Sequence, residues 1–210
     1  QTQQVMKIIQ ENLTSPLNIR AEFCFAVDVP ESHRLVNKDL GGGSILDIGC
    51  YPMSISRHAV GAVNGKNFMN PVSIEGQGEL NSQGIDLNAS AKLVFEDGSL
   101  AEIKSATNLS SASDVEISDG KTTVVLNQPW HCGEFTERKS QITLKKSNGD
   151  EESIDITTDK GLYALEIDHF SENLKNHNTE SDLIPHNDSH GNMIALDTWR
   201  KALKVVYDED

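Results

Sequence analysis

The spacing of apolar residues predicts a helix and then a strand at the start of the chain. Over residues 3–13 apolar side chains recur at the spacing of one helical face, which predicts a short amphipathic helix. Pro16 prevents that helix from continuing, and the stretch 19–27 is rich in β-branched and aromatic residues, as strands are. A glycine-rich segment and an apolar helix that ends near residue 61 follow.

Between residues 72 and 157 apolar and polar positions alternate in short runs. Strands are predicted at 72–80, 87–95, 100–107, 115–118, 122–126, 141–146 and 152–157. Three of the connections contain residue pairs that favour hairpin turns, namely Asp97-Gly98, Asp119-Gly120 and Asn148-Gly149. Hairpins in series predict a largely antiparallel sheet, and the alternation leaves one of its faces for solvent or for an interface.

Two amphipathic helices are predicted at the end of the chain, over 161–176 and 189–206, with Ser189 as the N-cap of the second. The 210 residues are enough for one domain with a substantial core. We therefore interpret 1–210 as a single domain. Its parts are a leading helix at 1–15, a strand and helix at 16–61, a sheet meander at 72–157 and closing helices at 160–207.

The composition is that of a soluble globular protein and narrows the range of partners. The formal net charge is −14, from 32 acidic and 18 basic residues, whereas nucleic acids and anionic membranes require a basic face. No apolar run approaches the roughly 18 residues of a membrane span. Cys24, Cys50 and Cys132 are odd in number and lack CxxC spacing, so we expect reduced thiols and a cytoplasmic protein.

The segment 40–53, which reads LGGGSILDIGCYPM, carries the strongest chemical signal. Asp47 and Tyr51 are four residues apart, so on a helix they project from the same face. Pro52 predicts that this helix begins or kinks near Cys50, because proline is tolerated in a first helical turn and disruptive further in. An acid and a phenol at such a helix end can orient a substrate hydroxyl group and move its proton. The alternative is that the acid caps the helix and the phenol packs.

Residues 31–53, which begin ESHR and include this glycine-rich segment, resemble the signature of the Gfo/Idh/MocA oxidoreductase family. The tyrosine at position 51 is typical of the branch that includes dihydrodiol dehydrogenase, xylose dehydrogenase and glucose–fructose oxidoreductase. The resemblance implies the C-terminal domain of such an enzyme, with an α+β fold. That fold has a large, open, mostly antiparallel β-sheet with helices packed on one face, similar to the C-terminal domain of glyceraldehyde-3-phosphate dehydrogenase.

The resemblance implies an NAD(P)-dependent oxidoreductase that acts on the CH–OH group of a sugar, polyol or cyclic diol. Tyr51 and Asp47 are then catalytic, with Tyr51 exchanging a proton with the substrate hydroxyl and Asp47 orienting it. A free phenol has a pKa near 10, so Tyr51 acts as a base only beside a cation, for which the family's upstream Glu-Lys-Pro lysine is the natural candidate. Arg34, Phe23 and Phe25 are candidates for substrate binding; the alternatives are a surface charge and core packing.

No strand–GxGxxG–helix unit occurs in the chain, so the resemblance implies that NAD or NADP binds mainly to a Rossmann domain outside it. We expect the chain alone to be inactive and to form a homo-oligomer through the free face of its sheet. A non-catalytic oligomerisation domain and a small-molecule-binding module remain alternatives. No metal site is expected, because residues 185–190, which contain His186 and His190, have the composition of a loop before a helix, where a four-residue spacing does not align side chains. Glycines 41–43 predict a tight turn that either admits a ligand or is purely structural.

Overall fold

The computed structural model describes residues 2–127, 129–131, 139–208 and 210. Within these residues it contains one eight-stranded sheet and four α-helices. The helices are α1 (Thr2–Asn12), α2 (Cys50–Val63), α3 (Leu162–Lys175) and α4 (His186–Ala202). The strands are β1 (Asn18–Cys24), β2 (Ser73–Leu80), β3 (Asp86–Val94), β4 (Leu100–Ala106), β5 (Val115–Ser118), β6 (Thr122–Leu126), β7 (Lys139–Lys146) and β8 (Glu151–Thr157).

The sheet places its strands in the order β2-β3-β4-β1-β5-β6-β7-β8. Every neighbouring pair is antiparallel except β1 with β4, which run parallel from the Asn18/Leu100 pair to the Cys24/Ala106 pair. The chain path explains this exception, because α2 crosses over the sheet after β1 and the β2–β3–β4 meander then returns to lie beside it. The predicted α+β fold with a large, open, mostly antiparallel sheet is confirmed.

The strand predictions are accurate because the hairpins are determined locally. β5 and β6 have the bounds that the sequence predicts, while β1 ends three residues earlier than predicted. The three predicted turn glycines Gly98, Gly120 and Gly149 have φ values of 86°, 85° and 93°. Glycine reaches this left-handed region without a steric penalty, which explains why the turns form at these positions.

The hydrophobic core lies between the sheet and the helices α1, α2 and α4. α2 packs against β1 and β4, and α4 packs against β2. The buried positions of β3 alternate along the strand, and two of the three are small, namely Ala89 and Ala91 followed by Leu93. These alanines leave room for bulky helix residues such as Trp199, which is fully buried and donates a hydrogen bond from Nε1 to the carbonyl of Ser90.

The opposite face of the sheet is polar and carries ion pairs between strands. Arg20 on β1 lies 3.0 Å from the carboxylate of Asp114 and 3.3 Å from that of Glu116. Lys92 on β3 lies 3.7 Å from Glu102 on β4. This face is therefore compatible with water or with a polar interface, as the alternation of the strands predicts.

The start of α4 differs from the prediction. The helix begins at His186, directly after Pro185, so the prediction that it begins with Ser189 as N-cap was wrong. The reason is that Pro185 adopts an extended conformation, and its carbonyl accepts hydrogen bonds from both Asp188 and Ser189. The loop assigned to residues 185–190 was also wrong, because these residues open the helix. The helix ends at Ala202, before Lys204 takes a left-handed φ of 63°.

The helix α3 forms where the sequence predicts it, but none of its described side chains is buried. Tyr163, Ile167, Phe170 and Leu174 recur at helical spacing, and each is more than half exposed. An apolar stripe in this state is typical of a surface that contacts another domain or molecule.

Two of the three cysteines lie in the described part of the chain. Cys24 and Cys50 are free thiols, and Cys132 lies outside the described residues. Among the residues that the structure describes, no helix is both long enough and apolar enough to cross a membrane.

A buried ion pair joins α2 to α4. Nη1 of Arg57, whose side chain is fully buried, lies 2.7 Å from Oδ1 of Asp188. The amide oxygens of Asn70 and Asn192 accept further hydrogen bonds from the same guanidinium group. His58 approaches the other carboxylate oxygen at 3.1 Å. Burial lowers the pKa of Arg57, and Asp188 opposes this effect by stabilising the charged form.

We predict that Asp188→Ala lowers the free energy of unfolding by about 3–5 kcal/mol, because it leaves the Arg57 charge buried without its partner. Denaturant titration of both proteins measures the difference. As a matched control, Asp182→Ala removes a carboxylate from a largely exposed position and changes the stability by less than about 0.5 kcal/mol. Equal effects of the two substitutions would contradict this account of the α2–α4 contact.

Candidate active site

Asp47 lies in a π-helical turn, Ile45–Gly49, that leads directly into α2. The predicted irregularity near Cys50 is therefore present as a change from π- to α-helical geometry at that residue. Oδ1 of Asp47 accepts a hydrogen bond of 2.6 Å from Nη1 of Arg34. Single π-helical turns are frequent at functional sites, since they displace a side chain from regular helical register.

Two of the three glycines before this turn, Gly42 and Gly43, are packed against neighbouring residues of the chain itself, whereas Gly41 faces open space. A Cβ atom at Gly42 would lie 2.8 Å from the carbonyl oxygen of Asn37 and 2.9 Å from that of Arg34. A Cβ atom at Gly43, whose φ is 124°, would lie 2.6 Å from Oδ1 of Asp86. These close approaches support the structural interpretation of the glycine turn over one in which it admits a ligand.

Asp86 supports the π-helical turn from the core side. Its Oδ2 atom accepts hydrogen bonds from Oγ of Ser44 at 2.9 Å and from the backbone N–H of Ile45 at 2.8 Å. Oδ1 of this fully buried carboxyl group has no hydrogen-bond partner among the described residues. Burial raises the pKa of Asp86, although the hydrogen bonds from Ile45 and Ser44 oppose the rise.

Tyr51 projects into an aromatic pocket, which we call the Tyr51 pocket. The ring of Tyr51 meets that of Phe23 edge-on at 5.3 Å, and the Trp130 ring stacks on Phe23 at 5.5 Å. The pocket has a volume of about 360 Å³. It is lined by Thr2, Val5, Phe23, Tyr51, Ser54, Ile55, His58, Leu126, Pro129, Trp130, His131, Tyr163 and Glu166. Rigid aromatic walls with a few polar groups are typical of small-molecule sites.

The environment of Tyr51 favours the neutral phenol. Burial raises the pKa of Tyr51 above its ordinary value of 10, and the negative charges of Asp47 and Glu166 raise it further. The ring is nevertheless 46% exposed, so its hydroxyl group is accessible to a ligand. Within this chain Tyr51 is thus a hydrogen-bond donor, and its use as a base requires an additional cation.

Cys50 does not have the environment of a nucleophile. Burial raises the pKa of its thiol, and Sγ lies 3.7 Å from the backbone carbonyl of Asp47. A reactive cysteine needs the opposite shift, toward the thiolate.

The structure does not bring all five predicted site residues into the pocket. Phe23 and Tyr51 line the pocket together, whereas Asp47 and Arg34 form an ion pair and do not line it. Phe25 meets the Phe23 ring edge-on at 6.2 Å but does not line the pocket. Phe25 follows the end of β1 at Cys24, so the prediction that both phenylalanines lie on one side of that strand stays a prediction.

Sequence reasoning did not find three residues that complete the pocket. Trp130 was left unplaced, and Tyr163 and Glu166 were not considered. Trp130 follows β6 and Tyr163 and Glu166 lie on α3, more than a hundred residues along the chain from Phe23. The signal that could have found Glu166 is its three-residue spacing from Tyr163, which places both side chains on the same helical face.

A second, larger cavity of about 1110 Å³ lies along α3. Its walls include Ile156 from β8, Leu165 and Phe170 from α3, and Ile184 from the loop before α4. It contains none of the candidate catalytic or substrate-binding residues predicted from the sequence, and its walls combine exposed apolar side chains of α3 with polar and charged ones.

The described residues form neither a nucleotide cradle nor a metal centre. At Gly42 the glycine turn is closely approached by backbone atoms of Arg34 and Asn37. Within the described part of the chain, no cluster of three His, Cys, Asp or Glu side chains is placed to hold a metal ion. His186 and His190 share a face of α4, but the structure supplies no third ligand in its described residues.

The fold and the position of the signature define the class of protein, an α+β substrate-type domain of oxidoreductases. The family model of the GFO/IDH/MocA C-terminal domain matches residues 2–125. The chain therefore belongs to the GFO/IDH/MocA C-terminal domain family. The search of curated proteins finds no match.

Solved structures of oxidoreductases share this fold at low sequence identity. The aldose-aldose oxidoreductase from Caulobacter crescentus complexed with glycerol matches with a TM-score of 0.78 and 16% identity, over 97% of this chain and 58% of its own. A 3-ketoreductase from Actinomadura kijaniata with NADP and TDP-benzene matches with a TM-score of 0.74 and 16% identity, over 96% of this chain and 58% of its own. The UDP-N-acetylglucosamine 3-dehydrogenase from Acidithiobacillus ferrooxidans matches with a TM-score of 0.71 and 15% identity, over 95% of this chain and 57% of its own. This chain thus spans less than two thirds of the length of these proteins.

We predict that Asp86→Asn changes the pH dependence of stability. The raised pKa means that the folded protein binds a proton more tightly at Asp86 than the unfolded chain does. Wild-type stability therefore falls as pH rises from the ordinary value of 3.8 through the raised one. The variant lacks this loss, so its stability relative to wild type increases with pH. Denaturant titrations from about pH 3 to about pH 8 measure the trend.

Asp97→Asn is the matched control, with the opposite sign. Burial raises the pKa of Asp97, but hydrogen bonds from Ser15, Asn64 and Ser99 outweigh it and leave the pKa lowered. Its contribution is present above 3.8 and is lost as pH falls through the lowered value, so this variant loses stability relative to wild type at neutral pH. A relative stability of Asp86→Asn that decreases with pH would refute the burial argument.

Proposed function

We propose that this chain is the substrate-binding and catalytic part of an NAD(P)-dependent oxidoreductase that acts on the CH–OH group of a sugar, polyol or cyclic diol. The observation that carries the proposal is the arrangement of the family signature. Its acid, Asp47, is held by Arg34 beside Tyr51, and Tyr51 opens into the aromatic pocket. The similar solved structures are of an aldose-aldose oxidoreductase, a UDP-N-acetylglucosamine 3-dehydrogenase and a 3-ketoreductase, which supports the substrate class.

Each residue has a role that follows from its position. Tyr51 donates a hydrogen bond to the reacting oxygen and exchanges its proton there, because its hydroxyl group is the accessible polar atom of the α2 wall. Asp47 orients the substrate hydroxyl, and Arg34 holds that carboxylate in place. Phe23 and Trp130 provide a flat apolar wall for a sugar or diol ring, and Phe25 supports Phe23 from behind the pocket.

The cofactor, NAD or NADP, is bound mainly by a nucleotide domain that this chain does not contain. When bound, the nicotinamide supplies the hydride-transfer chemistry. The chain spans only 58% of the length of the similar structures, which supports this division. On this proposal the 210 residues alone have no dehydrogenase activity. Sequencing the coding DNA upstream of Gln1 shows directly whether a strand–glycine-rich–helix unit precedes it in frame.

We predict that Tyr51→Phe and Asp47→Asn each lower kcat about 10²- to 10⁴-fold in the full-length oxidoreductase, because each removes a group that handles the substrate proton. The assay follows NAD(P)H absorbance with a panel of sugars, polyols and diols. Asp39→Asn is the control, since it neutralises an exposed acid of the same segment and leaves kcat within about twofold. Activity of Tyr51→Phe equal to wild type would exclude the proposed role of Tyr51. Turnover by the 210 residues alone would exclude the proposal that the cofactor is bound mainly by another domain.

A second candidate role, self-association, is favoured by exposed apolar surface. On the free face of the sheet Val94 and Leu100 form a directly opposed, exposed pair between β3 and β4. The apolar stripe of α3 is exposed as well. We propose that the chain forms a homo-oligomer through the free face of the sheet.

We predict that the chain is at least dimeric by light scattering at tens of micromolar. Leu100→Asp weakens the assembly by on the order of tenfold, because it places a charge in the interface. Phe170→Asp on α3 is the matched control, with the same change of charge at another exposed apolar position. A monomeric wild-type mass would refute self-association. A loss of assembly in Phe170→Asp alone would assign the interface to α3 instead.

A further inference from the structure

We propose that the Tyr51 pocket selects an uncharged polyhydroxylated ligand, and that Glu166 of α3 excludes anionic relatives such as sugar acids and sugar nucleotides. The inference rests on the proposed function, because it concerns the substrate of the same site. The inference distinguishes neutral from anionic substrates within the class that the sequence predicts. Aldoses and polyols are neutral, whereas uronic acids and nucleotide sugars are anions.

The charged groups around the pocket are predominantly acidic. Glu166 lines the pocket, and Asp47 lies close enough to act on the same Tyr51 phenol. No lysine or arginine lines the pocket within the described ranges. Arg34 is the nearby cation of the signature segment, and its guanidinium group is already paired with Asp47 at 2.6 Å. Among the residues that the structure describes, an anion that enters the pocket therefore meets the carboxylate of Glu166 with no lining lysine or arginine to offset it.

His58, which lines the pocket, is engaged with oxygens of the protein itself. Nδ1 of His58 lies 2.8 Å from the backbone carbonyl of Asn67, and Nε2 lies 3.1 Å from Oδ2 of the buried Asp188. Both ring nitrogens therefore already have partners in the protein.

Glu166 is available to a ligand. Its carboxylate has no hydrogen bond or ion pair with the other described residues, and it raises the pKa of Tyr51 across the pocket. A carboxylate accepts hydrogen bonds from hydroxyl groups, so it fits a polyol and repels a carboxylate or phosphate. The N-terminus of α3 also lies near the pocket, but its dipole corresponds to about half a positive charge and does not cancel a full negative one.

Recognition of a phosphate or carboxylate needs groups that this wall lacks. Such ligands are bound by bidentate arginines, by lysines or by clusters of free backbone N–H groups. The glycine turn, which has the composition of such a cluster, is filled by its own backbone at Gly42. The aromatic rings of Phe23, Tyr51 and Trp130 instead offer apolar faces to the ring carbons of a neutral sugar.

The test compares D-glucose, D-glucuronate and UDP-glucose as ligands of the 210-residue chain. Glucose and glucuronate differ in the exchange of a hydroxymethyl group for a carboxylate, so their ratio of affinities isolates charge. Binding is followed by NMR through the indole N–H of Trp130 and the amides around Tyr51. At low ionic strength glucose binds and the two anions bind on the order of tenfold more weakly, and this ratio decreases at high salt.

The variant Glu166→Gln tests the residue itself. It raises the affinity for glucuronate relative to that for glucose several-fold, since the substitution removes the negative charge while an amide oxygen still accepts a hydrogen bond. The matched control is Glu172→Gln, which makes the same charge change on the same helix at a residue that lines the α3 cavity and not the Tyr51 pocket. In the control the ratio of affinities stays at the wild-type value.

The outcomes separate this inference from the proposed function. Anions that bind as tightly as glucose overturn the inference and leave the proposed function standing, and so does a Glu166→Gln variant with an unchanged ratio. If none of the three ligands perturbs the signals of Trp130 or Tyr51, the pocket is not a carbohydrate site, and the inference and the substrate class of the proposed function fail together.

Discussion

The structure depends most on the buried ion pair between Arg57 and Asp188. Each of these charges costs several kcal/mol to remove from water, and only their mutual contact and the surrounding hydrogen bonds offset that cost. α2 and α4 can therefore dock only in the register that joins them, with Asn70 and Asn192 completing the guanidinium shell. Because Tyr51 lies on the helix that carries Arg57, this register also determines where the phenol emerges from the protein surface.

The other end of the signature is held by a second buried carboxyl group. Asp86 contacts Ser44 and Ile45 where the π-helical turn begins, and Gly43 has no side chain because Asp86 occupies that space. One of its oxygens has no described partner, which is a cost that the fold retains directly beneath the segment bearing Asp47. Unfavourable local features of this kind are concentrated at functional sites, where they hold a geometry that relaxed packing does not supply.

The strands of the sheet were predictable because short-range sequence patterns determine them, whereas the contacts between helices were not. Turn glycines such as Gly120 and alternation within short runs determine hairpins from neighbouring residues alone, and β5 and β6 match their predicted bounds. The polar run after Pro185 resembles a loop when read locally. It forms the first turn of α4, which follows Pro185, and Asp188 of this turn is held in the core by its hydrogen bond with Arg57, which is 131 residues away in sequence. No local pattern records that contact.

In the candidate site, too, some residues were predictable from local spacing and others were not, and this difference affects the chemistry of Tyr51. Asp47 and Tyr51 were predictable because four-residue spacing is a local property, but Glu166 reaches Tyr51 only through the tertiary fold. The structure thereby strengthens the expectation that the phenol needs a cation in order to act as a base. Burial and two acids raise the pKa of Tyr51, whereas proton abstraction from a substrate alcohol requires the pKa to be lowered. The wall that this chain contributes is therefore suited to donating a hydrogen bond to a neutral ligand. Removal of the substrate proton by Tyr51 requires a cation from a part of the active site that the described pocket residues do not supply.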